Sequence, residues 1–471
     1  MMMRGEMTAL ETSGEVGSSA DAQGAAASSY ACGIAIMVLL ALGTRPALAV
    51  PAFAVQTGQP CANCHIGAFG PHLTPAGRDF KLHGYVGSDG KDHGLPLAFT
   101  TITSFTHTAV PQPGGAAPGF RINDNVALDQ AAAYYAGRIT ADTGGFIEFK
   151  FDGVKQQASL DNVDIRHVRD GQLFDKDALW GITVNNAPTV QDAWNSTPVW
   201  GFPWNRSPLA PTPMAAPLID GAIAQRVVGA GGYVLWNDFL YFEADAYKGL
   251  DTPTLKTIGH VPVDDSDRTS AVLPYGRLAV IRDWHNHHLE LGGFALSGRV
   301  VPGNNQTFGL DTRKTDLAFD ATYQYISDAA KAASDRLSAH ATYIHELARM
   351  DASPAQSLTG ALLDHSLDTF RVDVSYSFAA TWTPSIQYFR TNGTADANYW
   401  ATPNGSPNFD GMIYEIAYVP WGKPDSPFPY INWRLALQYV SYFSFNGTTA
   451  NARSNNNLYL SLRTAMKLGF Q

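Results

Sequence analysis

Three residues with reactive side chains lie within five positions of one another, in the run Cys61-Ala62-Asn63-Cys64-His65. A C-x-x-C-H run in an exported chain is typical of covalent attachment of a c-type haem. The two thiols bond to the porphyrin edge, and the histidine that follows becomes an axial ligand of the iron. A C-x-x-C pair alone also occurs in redox dithiols and in half of a zinc site, but no second cysteine pair is present. We therefore predict one haem c, held by Cys61, Cys64 and His65.

The residues before this motif predict export. An apolar run at 31–42 is too short to span a bilayer and has the length of a signal-peptide core. Ala47-Leu48-Ala49 supplies a cleavage site, and Ala52-Phe53-Ala54 is a second possibility. The residues before the run are rich in Gly, Ala and Ser. We interpret residues 1–49 as a signal peptide with a low-complexity N-terminal extension, which contains Cys32.

Residues 50–96 form the predicted monohaem cytochrome c segment. Within it, residues 74–82 are expected to form a short helix with Thr74 as its N-cap. A segment this short cannot bury a conventional core, so the haem or a larger body must supply apolar contacts. Iron that transfers electrons usually has a second axial ligand. The candidates are His83, on the far side of the expected helix, and His72, which lies closer to the motif.

From residue 97 onward, apolar and polar side chains alternate with a period of two residues. Val372, Val374 and Tyr376, for example, oppose Arg371, Asp373 and Ser375. Counting such segments gives about sixteen, too many for one ordinary sandwich and an even number, as in bacterial outer-membrane barrels. The segments lie near 97–106, 131–139, 145–152, 160–168, 177–186, 222–236, 238–248, 274–282, 287–300, 315–326, 335–347, 368–378, 381–390, 411–419, 430–442 and 456–468. We predict an all-β fold, with an antiparallel β-barrel over 97–471.

Connection lengths and composition support the same fold. Long loops at 107–130, 187–221, 249–273, 348–367 and 391–410 alternate with mostly short turns, as external loops and periplasmic turns do. Charged residues are 16% of the chain, below the usual share of soluble domains. The net charge of −10 disfavours a nucleic-acid partner. We expect the cell outer membrane, with its lipid as a partner and the haem segment on the periplasmic side or in the lumen.

Two further features concern the lumen. The long loop from Asn185 to Ile219 contains Trp194, Trp200 and Trp204. It could fold into the lumen, cap the mouth or contact an external partner, although such aromatic loops more often pack on the barrel rim. On the strand near 335–347, His340 falls on the polar face and His345 on the other. His340 is therefore predicted to face the lumen.

Beyond these patterns, residues 51–85 resemble the N-terminus of fused monohaem c-type cytochrome–porins of the outer membrane, which include iron oxidases. The resemblance is carried by Pro51-Ala52-Phe53-Ala54, Gln56-Thr57-Gly58, the C-x-x-C-H run, Leu73-Thr74-Pro75, Gly77-Arg78 and Phe80-Lys81. It is looser over the barrel, where residues 185–194 are similar. It implies a small cytochrome plug within or beneath a sixteen-stranded barrel. Residue by residue it supports Cys61, Cys64 and His65, whereas His72 and His83 match no position of the family pattern.

The function favoured at this point is electron transfer. An external reductant such as ferrous iron would give single electrons to the haem, and a periplasmic c-type cytochrome or similar carrier would take them onward. Whether this amounts to an iron(II) oxidase-like oxidoreductase or to an electron-transfer protein is left open. Two alternatives also stay open: a solute-transport porin with a tethered structural or sensory haem, and a soluble periplasmic haem enzyme.

Overall fold

The computed structural model describes residues 52–91, 94–260, 268–301, 312–350, 360–428 and 431–468. The predicted signal peptide and extension, residues 1–49, lie outside these ranges. In the described ranges no helix is both long and apolar enough to cross a membrane.

One closed antiparallel sheet of seventeen strands forms the body of the molecule, and sixteen of them are long. Each long strand pairs with the next along the chain, and β1 pairs with β17 over Leu97–Thr108, which closes the barrel. The two-residue β8 extends the edge of β10 beyond β9. The strands are β1 Leu97–Thr108, β2 Asn125–Arg138, β3 Thr143–Asp152, β4 Gln157–Leu173, β5 Lys176–Asn185, β6 Val227–Trp236, β7 Leu240–Gly249, β8 Arg268–Thr269, β9 Leu273–Trp284, β10 His287–Val301, β11 Thr312–Ile326, β12 Arg336–Met350, β13 Asp364–Ser377, β14 Trp382–Gly393, β15 Phe409–Tyr418, β16 Ile431–Ser444 and β17 Asn457–Leu468.

This architecture confirms the predicted barrel. Every predicted segment falls on one of the long strands, and the differences are confined to strand ends. β2 begins at Asn125 instead of residue 131, and β4 continues to Leu173. The added part of β4, residues 169–172, is Arg-Asp-Gly-Gln, which has no apolar side chain and so no alternation that would predict a strand.

The outer face of the barrel is apolar at mid-height. Large apolar side chains are exposed there, among them Leu278, Leu291, Leu317, Phe319, Leu347, Val374, Ile386, Ile416 and Leu437. Aromatic pairs lie near the ends with the short turns, including Trp382 with Tyr418 and Trp421 with Trp433, with ring centroids 4.5 and 4.6 Å apart. An outward apolar band bordered by aromatic residues is what a barrel in lipid requires. The chain therefore has the fold of an outer-membrane β-barrel.

The helices are short. Three belong to the stretch that we call the N-terminal segment, residues 52–91: α1 Ala52–Thr57, α2 Cys61–Cys64 and α3 Pro75–Leu82. The fourth, α4 Thr252–Thr257, lies in the connection after β7. Single turns at Ile66–Ala68, Leu218–Ala222 and Ala452–Asn455 complete the set among the described residues.

The lipid-facing band gives a first prediction. Phe319 lies at the middle of β11 and is 69% exposed, whereas Phe174, 83% exposed, lies in the two-residue turn between β4 and β5. Phe319→Arg should destabilise the barrel in a bilayer by about 2–4 kcal/mol, because it places a charge at mid-membrane depth. Phe174→Arg should change stability little. Denaturant unfolding in lipid vesicles measures both, and equal losses would contradict a lipid-facing band.

Candidate functional site

The C-x-x-C-H motif folds as one turn of helix. Pro60 precedes the turn, and the amide of His65 donates to the carbonyl of Cys61 at 2.9 Å. Residues three apart on a helix share a face, so the thiols of Cys61 and Cys64 lie on one side of the turn. Both are free thiols. Burial raises the pKa of the Cys61 thiol to about 12 and also raises that of Cys64, so neither is a reactive thiolate.

Helix α3 is fixed directly against this turn. As predicted, Thr74 caps α3 by accepting a hydrogen bond from the amide of Gly77 at 3.2 Å. The Thr74 hydroxyl also donates to the carbonyl of Asn63 at 2.6 Å. A Cβ at Gly77 would lie 2.2 Å from the carbonyl oxygen of Cys64, so only glycine permits this approach.

The barrel wall holds the motif from the other side. Arg336, at the start of β12, donates to the carbonyls of Ala62 at 2.6 Å and His65 at 3.0 Å. Asn432, at the start of β16, donates to the carbonyl of Ala68 at 2.8 Å. Both wall residues lie at the end of the barrel that carries the short turns. The N-terminal segment is therefore anchored to inward-facing side chains at this end of the lumen.

His65 and His72 close a small loop. The amide of Ile66 donates to the carbonyl of His72 at 2.9 Å, and His65 forms an antiparallel bridge with Leu73. Burial lowers the pKa of His65 to about 4, so its ring is neutral, which is the form that binds iron. Burial, with the neighbouring His340, also holds the pKa of His72 well below its usual value.

The ring of His72 faces the wall at β12. Its Nε2 lies 3.1 Å from Nε2 of His340 and 2.8 Å from the hydroxyl of Ser338. Nδ1 of His340 lies 3.4 Å from Asp373. His340 thus faces the lumen as predicted, whereas His345 faces outward and pairs with Asp368. These contacts tie the motif loop to a row of polar side chains on two adjacent strands.

His83 lies elsewhere in the segment. It caps the C-terminal end of α3, where Nδ1 lies 3.1 Å from the carboxylate of Asp79 and Nε2 lies 3.6 Å from Asp170. The hydrogen bond to Asp79 raises the pKa of His83 to about 9. The structure therefore brings His72, and not His83, beside the motif. The second axial ligand stays a prediction.

The connection between β5 and β6, residues 186–226, enters the lumen and is called the inserted loop below. Its backbone is bound by wall side chains: Thr342 donates to the carbonyl of Ser196 at 2.6 Å, and Glu346 accepts from the amide of Leu218 at 2.7 Å. It also contacts the N-terminal segment, since Lys81 donates to its carbonyls and the ring of Trp204 lies 5.4 Å from that of His72. Of the positions considered for this loop, the lumen is the one found, and the more common packing on the barrel rim is not.

Several features of the site fit a c-type haem. The donor set is two free thiols on one helical turn followed by a neutral imidazole, and Nδ1 of His65 is buried without a hydrogen-bond partner in the protein. The side chains packed around Cys61 are mostly alanines: Ala54, Ala62, Ala68, Ala332, Ala333 and Ala380. Arg463 and Arg336 supply positive charge near His65, which suits the propionates of a haem. Among the described residues, no group of three or more His, Cys, Asp or Glu side chains forms a separate metal centre.

Some residues of this site carried no sequence signal. The motif and the N-cap are local patterns, and the lumenal face of His340 follows from alternation. Arg336 and Asn432 serve as anchors, and Trp204 is the neighbour of His72, through contacts between residues more than a hundred positions apart in the sequence. Alternation places Arg336 on the polar face but does not say what it binds.

No family model matches the chain, and no curated protein matches it at a significant level. Among solved structures, a loop-deletion form of OmpT from Vibrio cholerae is 11% identical over 80% of this chain and 100% of its own, with a TM-score of 0.40. OmpF of Salmonella typhi in complex with daunomycin is 10% identical over 79% and 97%, with a TM-score of 0.42. An anion-selective porin from Comamonas acidovorans is 9% identical over 80% and 99%, also with a TM-score of 0.42. Scores this low establish neither family nor function; the strand pairing and the apolar outer face of this chain establish the barrel.

The anchor at Arg336 gives a second prediction. Arg336→Met removes the donors to the carbonyls of Ala62 and His65, and an unpaired buried carbonyl costs about 1–3 kcal/mol. Amide hydrogen exchange at residues 61–66 should therefore accelerate about tenfold or more. Arg349→Met is the matched control, because Arg349 lies on the same strand and is exposed. Unchanged exchange in Arg336→Met would show that the wall does not hold the motif.

Proposed function

We propose that the chain is an outer-membrane cytochrome–porin that passes single electrons from an external donor to a periplasmic carrier. The observation that carries this proposal is the C-x-x-C-H turn, held by wall side chains inside a membrane barrel. Cys61 and Cys64 would hold the haem through thioether bonds, and His65 would bind its iron. When bound, the haem supplies a centre that accepts and donates one electron.

The residues around the motif support this assignment by fixing and shielding it. The turn is restricted from two sides, by Arg336 and Asn432 of the wall and by Thr74 and Gly77 at the start of α3. The donor atoms therefore keep their positions although the segment has no hydrophobic core of its own. The inserted loop approaches the same place through Trp204, whose ring lies 5.4 Å from that of His72 in the N-terminal segment. A site held rigidly and kept largely dry suits outer-sphere electron transfer, which needs close approach and little reorganisation, and requires no acid–base pair.

Charge supports a cationic donor. Among the described residues, buried carboxylates outnumber buried Lys and Arg side chains by about two to one. An acidic interior attracts cations and disfavours anions. Ferrous iron, which the sequence resemblance suggests, matches this charge, and a periplasmic c-type cytochrome is the proposed acceptor at the end with the short turns.

The alternatives are affected differently by the structure. A soluble haem enzyme does not fit a closed barrel with an apolar outer band. A solute-transport porin is favoured by the barrel itself. Against it, the N-terminal segment and the inserted loop both contact the inner wall of the lumen, through which a solute would have to pass. The two remaining functions differ in what crosses the membrane, which is either an electron or the solute.

Covalent haem is the first property to test. In a host that matures c-type cytochromes, the wild-type protein should retain haem in a denaturing gel, and the Cys61→Ala/Cys64→Ala double variant should lose it. Asn63→Ala is the matched control, since it changes the motif between the cysteines but none of the three donors. Heat-modifiable gel mobility checks that each barrel is folded. Wild-type protein without covalent haem would contradict the proposal.

Electron transfer across the membrane is tested in vesicles that contain oxidised cytochrome c. Ferrous iron added outside should reduce the trapped cytochrome when the wild-type protein is inserted, and at most a few per cent as fast with Cys61→Ala/Cys64→Ala. Equal rates in the two proteins would mean that iron itself passes through the lumen. That result would favour the transport porin.

A further inference from the structure

Two carboxylates lie side by side on the inward face of β7. Glu243 and Asp245 are two residues apart on a strand, so their side chains point to the same side of the sheet. They are 0% and 6% exposed. Buried carboxylates need opposite charge or several hydrogen bonds, because the interior solvates them poorly.

Glycines on the neighbouring strand β6 make room for the carboxylate of Asp245. Gly231 of β6 is the cross-strand partner of Asp245, and a Cβ at Gly231 would lie 1.6 Å from Oδ1 of Asp245. Gly229, the next inward position on β6, lies under the ring of Tyr247 in the same way. The carboxylate of Asp245 thus occupies space that any other residue at 231 would fill.

Several buried oxygens around the pair have no hydrogen-bond partner in the protein. They are Oε1 of Glu243, Oδ1 of Asp245, Oε1 of Gln191, Oδ1 of Asn185 and the hydroxyl of Tyr275. Gln191 and Asn185 are 0% and 1% exposed. Such a concentration of unpaired buried acceptors is rare in folded proteins and calls for a ligand that oxygen atoms can bind.

Direct contacts and strand register place these residues close to one another. Nε2 of Gln191 donates to Oδ2 of Asp245 at 2.8 Å, which fixes the amide next to the carboxylate. Tyr275 is the cross-strand partner of Asp245 on β9, and Tyr247, whose hydroxyl donates to Oδ2 of Asp245 at 3.3 Å, lies opposite Gly229, the partner of Asn185. The oxygens of the set therefore come from β5, β7, β9 and the inserted loop, with the glycines of β6 between β5 and β7.

The nearby cations make their direct contacts with other groups. Lys81 attracts Glu243 electrostatically, but its ammonium group donates to carbonyls of the inserted loop. Arg166 attracts Glu243 electrostatically, but its guanidinium pairs with Asp164 at 2.9 Å and also binds the carbonyl of Gln191. Arg277 contacts Asp192, Glu290 and Asp320. Neither arginine forms an ion pair with Glu243 or Asp245. Among the described residues, the pair therefore has no direct ion-pair partner.

We propose that Glu243 and Asp245, with the amide oxygens of Gln191 and Asn185, bind a hard divalent cation, with Ca²⁺ as the best match. Carboxylate and amide oxygens are the ligands that Ca²⁺ prefers, and no nitrogen or sulfur donor is part of the set. Because Gln191 belongs to the inserted loop, the cation would join the loop to the barrel wall. This site does not depend on the haem or on the proposed electron transfer.

Binding is tested on the detergent-solubilised full chain with Tb³⁺, a luminescent substitute for Ca²⁺ that nearby Tyr and Trp side chains sensitise. Wild-type protein should give saturable luminescence that Ca²⁺ displaces. Glu243→Gln and Asp245→Asn should bind at least tenfold more weakly. Glu148→Gln is the control, because Glu148 is a buried lumenal carboxylate whose oxygens are bonded to Gln130, Tyr134 and Asn162. Binding by Glu243→Gln and Asp245→Asn at wild-type strength would overturn the proposal.

A second variant covers the case in which those strand substitutions prevent folding. Gln191→Met lies in the inserted loop, so the barrel can close without it, and it should also weaken Tb³⁺ binding. Ca²⁺ should raise the temperature of the heat-modifiable gel shift in wild-type protein but less in this variant, since a ligand stabilises the state that binds it. A wild-type transition that Ca²⁺ does not move, together with no saturable Tb³⁺ signal, would overturn the proposal.

Discussion

Closure of the sheet between β1 and β17 is the constraint on which the rest of the structure depends. A closed barrel has no free edge, and its alternation sends one set of side chains to lipid and the other to the lumen. The inward set is largely polar and too deeply buried to be solvated freely. Those groups need hydrogen-bond partners. The backbone carbonyls and amides of the N-terminal segment and of the inserted loop provide them. The inward side chains of the wall and the backbone groups of these two segments therefore satisfy each other's hydrogen bonds.

This mutual satisfaction explains how so small an N-terminal segment has a defined conformation. Three helices of four to eight residues have no core of their own. Arg336 and Asn432 bind the carbonyls that short helical turns leave free, and Tyr85 donates to the carboxylate of Asp164 at 2.6 Å. The barrel thus replaces the hydrophobic core that a free-standing cytochrome would need.

Most of the fold could be predicted from the sequence, because alternation is a local property that survives in each strand separately. The cap at Thr74 and the opposite faces of His340 and His345 are local in the same sense. The course of the inserted loop is not, since its residues have no period and its contacts with Thr342 and Glu346 join positions far apart in the chain. The oxygen cluster around Asp245 could not be predicted for the same reason: its members lie on three strands and a loop, and each alone is an ordinary polar residue.

The surroundings of the two predicted second ligands bear on which of them could reach a haem iron. His83 is hydrogen-bonded to Asp79, which raises its pKa to about 9, so at neutral pH the ring must lose a proton before it can bind iron. His72 is already neutral, and its Nδ1 is buried without a partner in the protein. Its Nε2 contacts His340 and Ser338, so binding through that atom would replace those hydrogen bonds. The protonation states therefore favour His72 as the second ligand of the proposed haem. The position of His83 on the far side of the helix is what favoured it in the sequence.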